Sequence, residues 1–144
     1  MNCNPPLIDT NILIYAYDES EPGKREKCKK IVEKLLSGET KAVVSSQILA
    51  EFYNALTRKI ENPVENEKAL TIVQSFIRAE NIIKIDYCFK TVEKAIKKSI
   101  NCNAHFWDAL IAETMLENQV FTIFTENEKD FSKIKQIRVI NPVR

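Results

Sequence analysis

Four carboxylates stand where a carboxylate is awkward. Asp9 interrupts "PPLIDTNILIYA" directly after the apolar pair Leu7-Ile8. Glu51, in "SSQILAEFYNAL", sits at the margin of a helical apolar stripe made by Ile48, Phe52, Ala55 and Leu56. Asp108, in "HFWDALIAETML", shares one helical face with Ile111, Ala112 and Met115. "FTENEKDF" then offers Thr125, Glu126, Glu128 and Asp130. Each has a plain structural reading. Asp9 suits a helix N-cap, Glu51 a solvated helix flank, Glu128 a solvated turn, and Asp130 a cap for a turn over 131–134. Asp108 is the hardest to explain that way, because a charge on an apolar face is costly to bury without a partner.

If Asp9, Glu51, Asp108 and Glu126 converge, they cannot all ionise unaided, since like charges raise one another's pKa. Hard divalent cations with oxygen ligands resolve the conflict, and Mg²⁺ or Mn²⁺ fits this donor set. Such ions activate water and stabilise the leaving oxygen in phosphodiester hydrolysis.

Other chemistries are poorly supplied. His105 is the only histidine, and no G-x-S-x-G elbow accompanies it. Gly23 and Gly38 are the only glycines, which excludes both the P-loop and the dinucleotide fingerprint. Cys3, Cys28, Cys88 and Cys102 are scattered without a CxxC pair and read as free thiols. Cys102 and His105 offer two ligands, too few for a zinc site.

The positioning elements follow from periodicity. The 144 residues suit one domain over 1–144, with 44% apolar and 28% charged residues and a net charge of +1. No apolar run approaches the roughly 20 residues of a membrane span, and the N-terminus lacks signal-peptide features. The expectation is a cytoplasmic protein. Short apolar strands are predicted at Leu7-Ile8, 42–44, 81–85, 120–124 and 137–140. Helices are predicted over 11–17, 24–36, 46–59, 64–79, 89–99 and 107–117. In the second helix, Cys28, Ile31, Val32, Leu35 and Leu36 are assigned inward. This alternation implies an α/β fold with a mostly parallel sheet covered on both faces. Ligands in such folds collect at the carboxyl ends of the strands.

"LIDTNILIYAYD", "SSQILAEFYNAL", "FWDALIAETM" and "IFTENEKDF" occur in the order, and over nearly the whole span, of PIN-domain proteins. The chain resembles that family, and by size its VapC-like toxins. The resemblance implies a three-layer α/β/α sandwich around a roughly five-stranded sheet. It implies a metal-dependent ribonuclease, usually dimeric, restrained by an antitoxin. Asp9, Glu51 and Asp108 would hold Mg²⁺ or Mn²⁺, with Glu126 or Asp130 completing the set. Thr10, Asn11 and Thr125 would shape the pocket, Asn11 by hydrogen bonding to the carboxylates. The family often reads Thr-x-Asp where this chain has Asn127.

RNA contacts are less marked. "GKREKCKK" and "KTVEKAIKKS" concentrate basic residues, but Glu26, Glu33 and Glu93 dilute them and favour solvated helix faces. Arg58 and Lys59 are alternatives. An aromatic at 106 or 107 suits either base stacking or core packing. Two other functions compete: a PIN-fold scaffold that binds RNA without cutting, and a dehalogenase-like phosphatase. The latter class expects a second Asp two residues after the first, where this chain has Asn11.

Overall fold

The computed structural model describes residues 4–144. Cys3 lies outside them. Five strands and seven helices alternate along the described chain. The strands are β1 (Leu7–Ile8), β2 (Ala42–Ser45), β3 (Ile82–Ile85), β4 (Thr122–Phe124) and β5 (Arg138–Ile140). They form one sheet in the order β3-β2-β1-β4-β5, and every pairing is parallel. The expected mostly parallel sheet is thus entirely parallel. The helices are α1 (Thr10–Tyr15), α2 (Pro22–Leu36), α3 (Ser46–Arg58), α4 (Asn66–Arg78), α5 (Phe89–Cys102), α6 (Phe106–Glu117) and α7 (Glu128–Phe131). They flank the sheet in the three-layer arrangement.

The central strands are apolar because both faces are covered. Leu7, Ile8, Val43, Val44 and Ile123 are almost completely buried. Edge strand β3 exposes Ile83 and Lys84 between buried Ile82 and Ile85. Strand order runs outward from β1 on one side and from β4 on the other. The order therefore reverses at β1 and β4, where a ligand crevice is expected. Asp9 and Thr125 stand at the carboxyl ends of these two strands. Register Ile8↔Phe124 holds those ends level.

Helix boundaries have local causes. Ser45 ends β2 and caps α3 in the same residue, its hydroxyl accepting from the Ile48 N–H at 3.1 Å. That junction leaves no loop, so the first turns of α3 begin at the sheet edge. Ile48, Phe52, Ala55 and Leu56 are buried. At the end of α2, Gly38 adopts φ +84°, the left-handed conformation glycine takes at low cost. Cys28, Val32 and Leu35 face inward, whereas Leu36 is exposed because it turns away from their stripe. The turn expected over 131–134 is present, with the Ile134 N–H donating to the Phe131 carbonyl at 3.1 Å. It continues from the short helix α7, which Asn127 rather than Asp130 caps, its side chain accepting from the Asp130 N–H.

Residues 109–115 of α6 are buried, including Glu113, whose carboxylate meets Lys98 at 3.4 Å. Lys94 and Thr91 also bind Glu117. Basic residues of α5 are thus used to dock α6. Cys28, Cys88 and Cys102 are free thiols, as expected. No helix is long and apolar enough to cross a membrane among the described residues.

Phe52 is fully buried and packs edge-on against Phe76 at 5.5 Å and near Tyr17 at 5.8 Å. Phe52→Ala should cost about 3–5 kcal/mol, read as a lower urea midpoint with an unchanged slope. A shift under about 1 kcal/mol would show that α3 is not anchored there.

Candidate active site

Asp9 both caps a helix and faces the crevice. Its backbone is extended (φ −71°, ψ 157°), and it is 5% exposed. Oδ1 accepts from the Thr10 N–H at 2.8 Å. Oδ2 accepts from the Thr125 hydroxyl at 2.7 Å and from the Asn11 amide at 3.3 Å. These donors favour the ionised form, yet burial outweighs them and raises the Asp9 pKa, with the Glu51 charge adding to the rise.

Thr125 is fully buried at the end of β4 and links three residues. Its hydroxyl donates to Asp9 and accepts from the Asn127 N–H at 2.9 Å and the Asn11 amide at 3.3 Å. Asn11 also accepts from the Glu126 N–H at 3.2 Å. The first and fourth segments are therefore joined by side chains. The Thr10 hydroxyl oxygen is buried without a partner.

Asp108 is half-buried in the first turn of α6. Its carboxyl is pushed up to about 6, first by burial and then by the Asp9 and Asp130 charges. His105 and the Asn127 amide oppose the shift. Asn127 donates from Nδ2 to Asp108 Oδ2 at 2.9 Å and to Asp130 Oδ2 at 3.3 Å. Burial also pushes Asp130 up, but the Asn127 amide and Lys133, at 3.3 Å, together hold it below its ordinary value. Glu51 is half-buried in α3 and accepts from the Gln47 amide at 2.7 Å. The same amide donates to the Trp107 carbonyl at 3.2 Å.

Asp9, Glu51, Asp108 and Asp130 thus share one end of the sheet and influence one another electrostatically. The Glu126 carboxylate turns elsewhere. It pairs with Lys24 at 3.1 Å and accepts from the Tyr15 hydroxyl at 3.0 Å. Lys24 also lies over the Tyr15 ring, 4.9 Å from its centroid. Glu126 has a nearby cation already, which removes the physical reason for placing it in the acidic set. It anchors the segment that carries Thr125 and Asn127. Lys24 belongs to one of the two basic stretches, so part of that patch is used internally.

Sequence reasoning missed Gln47 and the Tyr15–Lys24–Glu126 cluster. Gln47 was signalled by lying one helical turn before Glu51. The Lys24 pairing carries no local signal. Among the described residues, no three His, Cys, Asp or Glu side chains are close enough to chelate an ion directly. The donor set is nonetheless all oxygen, and the raised pKa values of Asp9 and Asp108 come first from burial and then from neighbouring carboxylate charge, a cost that a cation would relieve.

Residues 7–137 match the family model described as PIN domain. No curated protein matches the chain. A toxin–antitoxin complex from Klebsiella pneumoniae shares the fold with a TM-score of 0.66 at 19% identity, over 95% of this chain and 97% of that one. VapC20 of Mycobacterium tuberculosis, a toxin that cleaves the sarcin–ricin loop, gives 0.65 at 12% identity, over 88% and 92%. VapBC2 from Rickettsia felis, bound to promoter DNA, gives 0.64 at 21% identity, over 94% and 96%.

The Asp108 shift has a stability consequence. Its folded pKa of about 6 exceeds the model-peptide 3.8, so the folded state holds the proton more tightly. Asp108 therefore costs stability as pH rises from 3.8 through about 6. In EDTA, Asp108→Asn should melt several degrees higher than wild type at pH 7. The gap should close below pH 3.8. Equal melting across this range would contradict the shift. The chain belongs to the PIN-domain family.

Proposed function

We propose that this protein is a metal-dependent endoribonuclease and the toxin of a toxin–antitoxin pair, with residues 1–144 acting as one PIN domain in the cytoplasm. The observation that supports this reading is the action of the Asp9 charge on Asp108 at the reversal point of a parallel sheet. Both carboxyls have raised pKa values there. The toxin–antitoxin structures that share the fold support the pairing with an antitoxin.

Asp9 and Asp108 would hold Mg²⁺ or Mn²⁺, with Glu51 and Asp130 acting directly or through water. This fits the habit of Mg²⁺, which keeps several waters and takes one or two carboxylates. When bound, the cation supplies an activated water and charge stabilisation at the phosphodiester. The protein's contribution is orientation. Thr10 and Thr125 hold the two oxygens of Asp9, and Asn11 adds a second donor to Oδ2. Asn127 holds Asp108 and spaces it from Asp130 without adding charge. Glu126, paired with Lys24, positions the fourth segment.

An antitoxin would suppress activity by placing a basic side chain among these carboxylates. Phe89, Ile96 and Ile100 lie on one face of α5 and are exposed at 80%, 47% and 74%. Such an apolar surface suits a protein partner, and we assign it to the second copy of a homodimer.

Incubation of a structured RNA pool with Mg²⁺, Mn²⁺ or EDTA tests the function. Wild type should cut only with the cations. Asp9→Asn and Asp108→Asn, if folded by circular dichroism, should lose at least about 10²-fold in rate, as expected when transition-state electrostatic stabilisation is removed. Retained RNA binding without any cutting by wild type would instead favour a scaffold.

A further inference from the structure

We propose that Trp107 is the platform on which an unpaired base of the RNA substrate stacks beside the carboxylates. The inference rests on the ribonuclease reading and adds the part of the substrate that the carboxylates do not recognise.

Trp107 is 54% exposed, although large aromatics ordinarily bury their surface. Its neighbour Phe106 takes the inward role, packing against the α5–α6 cluster of Ala95, Ala109 and Leu110. The two rings meet edge to face at 5.1 Å and 68°, so Phe106 braces one edge of the indole. The core explanation is therefore satisfied by Phe106 and leaves Trp107 free.

Two links tie Trp107 to the acidic site. It immediately precedes Asp108 in the first turn of α6. Its carbonyl also accepts from Gln47, whose same amide binds Glu51. Gln47 is 8% exposed, and its Oε1 is buried without a partner. This buried side chain fixes the Trp107 backbone relative to Glu51. With its backbone fixed in this way and one edge against Phe106, the indole keeps a face open, and every base offers it a π-face. A phosphodiester among the carboxylates would carry its neighbouring base past this ring. Bases inside a duplex are already stacked, so the platform selects single-stranded or looped RNA.

Trp107 is the only tryptophan in the chain, which makes it its own reporter. Stopped-flow emission can be followed in Mg²⁺ with a single-stranded 12-residue RNA, its duplex, and an abasic strand of equal length. Cleavage is read from the same samples on gels. We expect quenching by the single strand before any cleavage and little with the duplex or abasic strand. Trp107→Ala should raise KM roughly tenfold or more with a smaller change in kcat, and Trp107→Phe should recover much of it.

Cleavage without quenching, or equal quenching by the abasic strand, would overturn the platform and leave the ribonuclease reading intact. Quenching by the single strand without cleavage would keep the platform and overturn the ribonuclease reading. If Trp107→Ala instead splits a dimer in sedimentation without altering KM, the indole serves a second copy and the proposal fails.

Discussion

Burial of carboxylates at one end of a parallel sheet, with their mutual repulsion added to it, is the constraint on which the site depends. Asp9 is buried near Glu51, while Asp108 experiences both Asp9 and Asp130. Burial strengthens these interactions because less water screens them. A chain selected for stability alone would have little reason to gather such groups. The surrounding hydrogen bonds from Thr10, Thr125, Asn11 and Asn127 lessen the cost without removing it. The remaining charge is the driving force for taking up a cation.

The architecture supplies the convergence. β1 and β4 are adjacent and in register, so Asp9 and Thr125 are brought together by backbone pairing. The loopless passage from β2 into α3 brings Glu51 toward the same edge. Asp108 arrives differently, on α6, which is held against α5 by Lys98–Glu113 and by a small apolar cluster. Three structural routes thus meet, and each is stabilised by contacts that have no chemical role.

Much of this was legible in the chain. The strands were short and apolar, and Asp108 stood out because Ile111, Ala112 and Met115 share its face. Asp9 could be read as a cap or as a site residue, and the structure gives it the geometry of both. Glu126 was less legible because its cation, Lys24, lies 102 residues away in sequence. Periodicity carries no information about such a pairing. Asn127 was visible only as a departure from an acidic pattern; its contacts with Asp108 and Asp130 required three-dimensional placement. Leu36 shows the limit of a stripe argument, since one residue of rotation at a helix end separates core from solvent.

The most direct test is calorimetry of Mn²⁺ binding to metal-free protein near pH 6, in two buffers with different ionisation heats. A carboxyl with a pKa of about 6 is partly protonated there, so a cation binding at Asp108 must displace its proton. The expected result is binding whose apparent heat differs between buffers by an amount reporting proton release. Asp108→Asn should weaken binding and reduce that difference, leaving the part contributed by Asp9, whose pKa burial also raises. Binding with equal heats in both buffers, or no binding by wild type, would contradict a cation site built on these carboxylates.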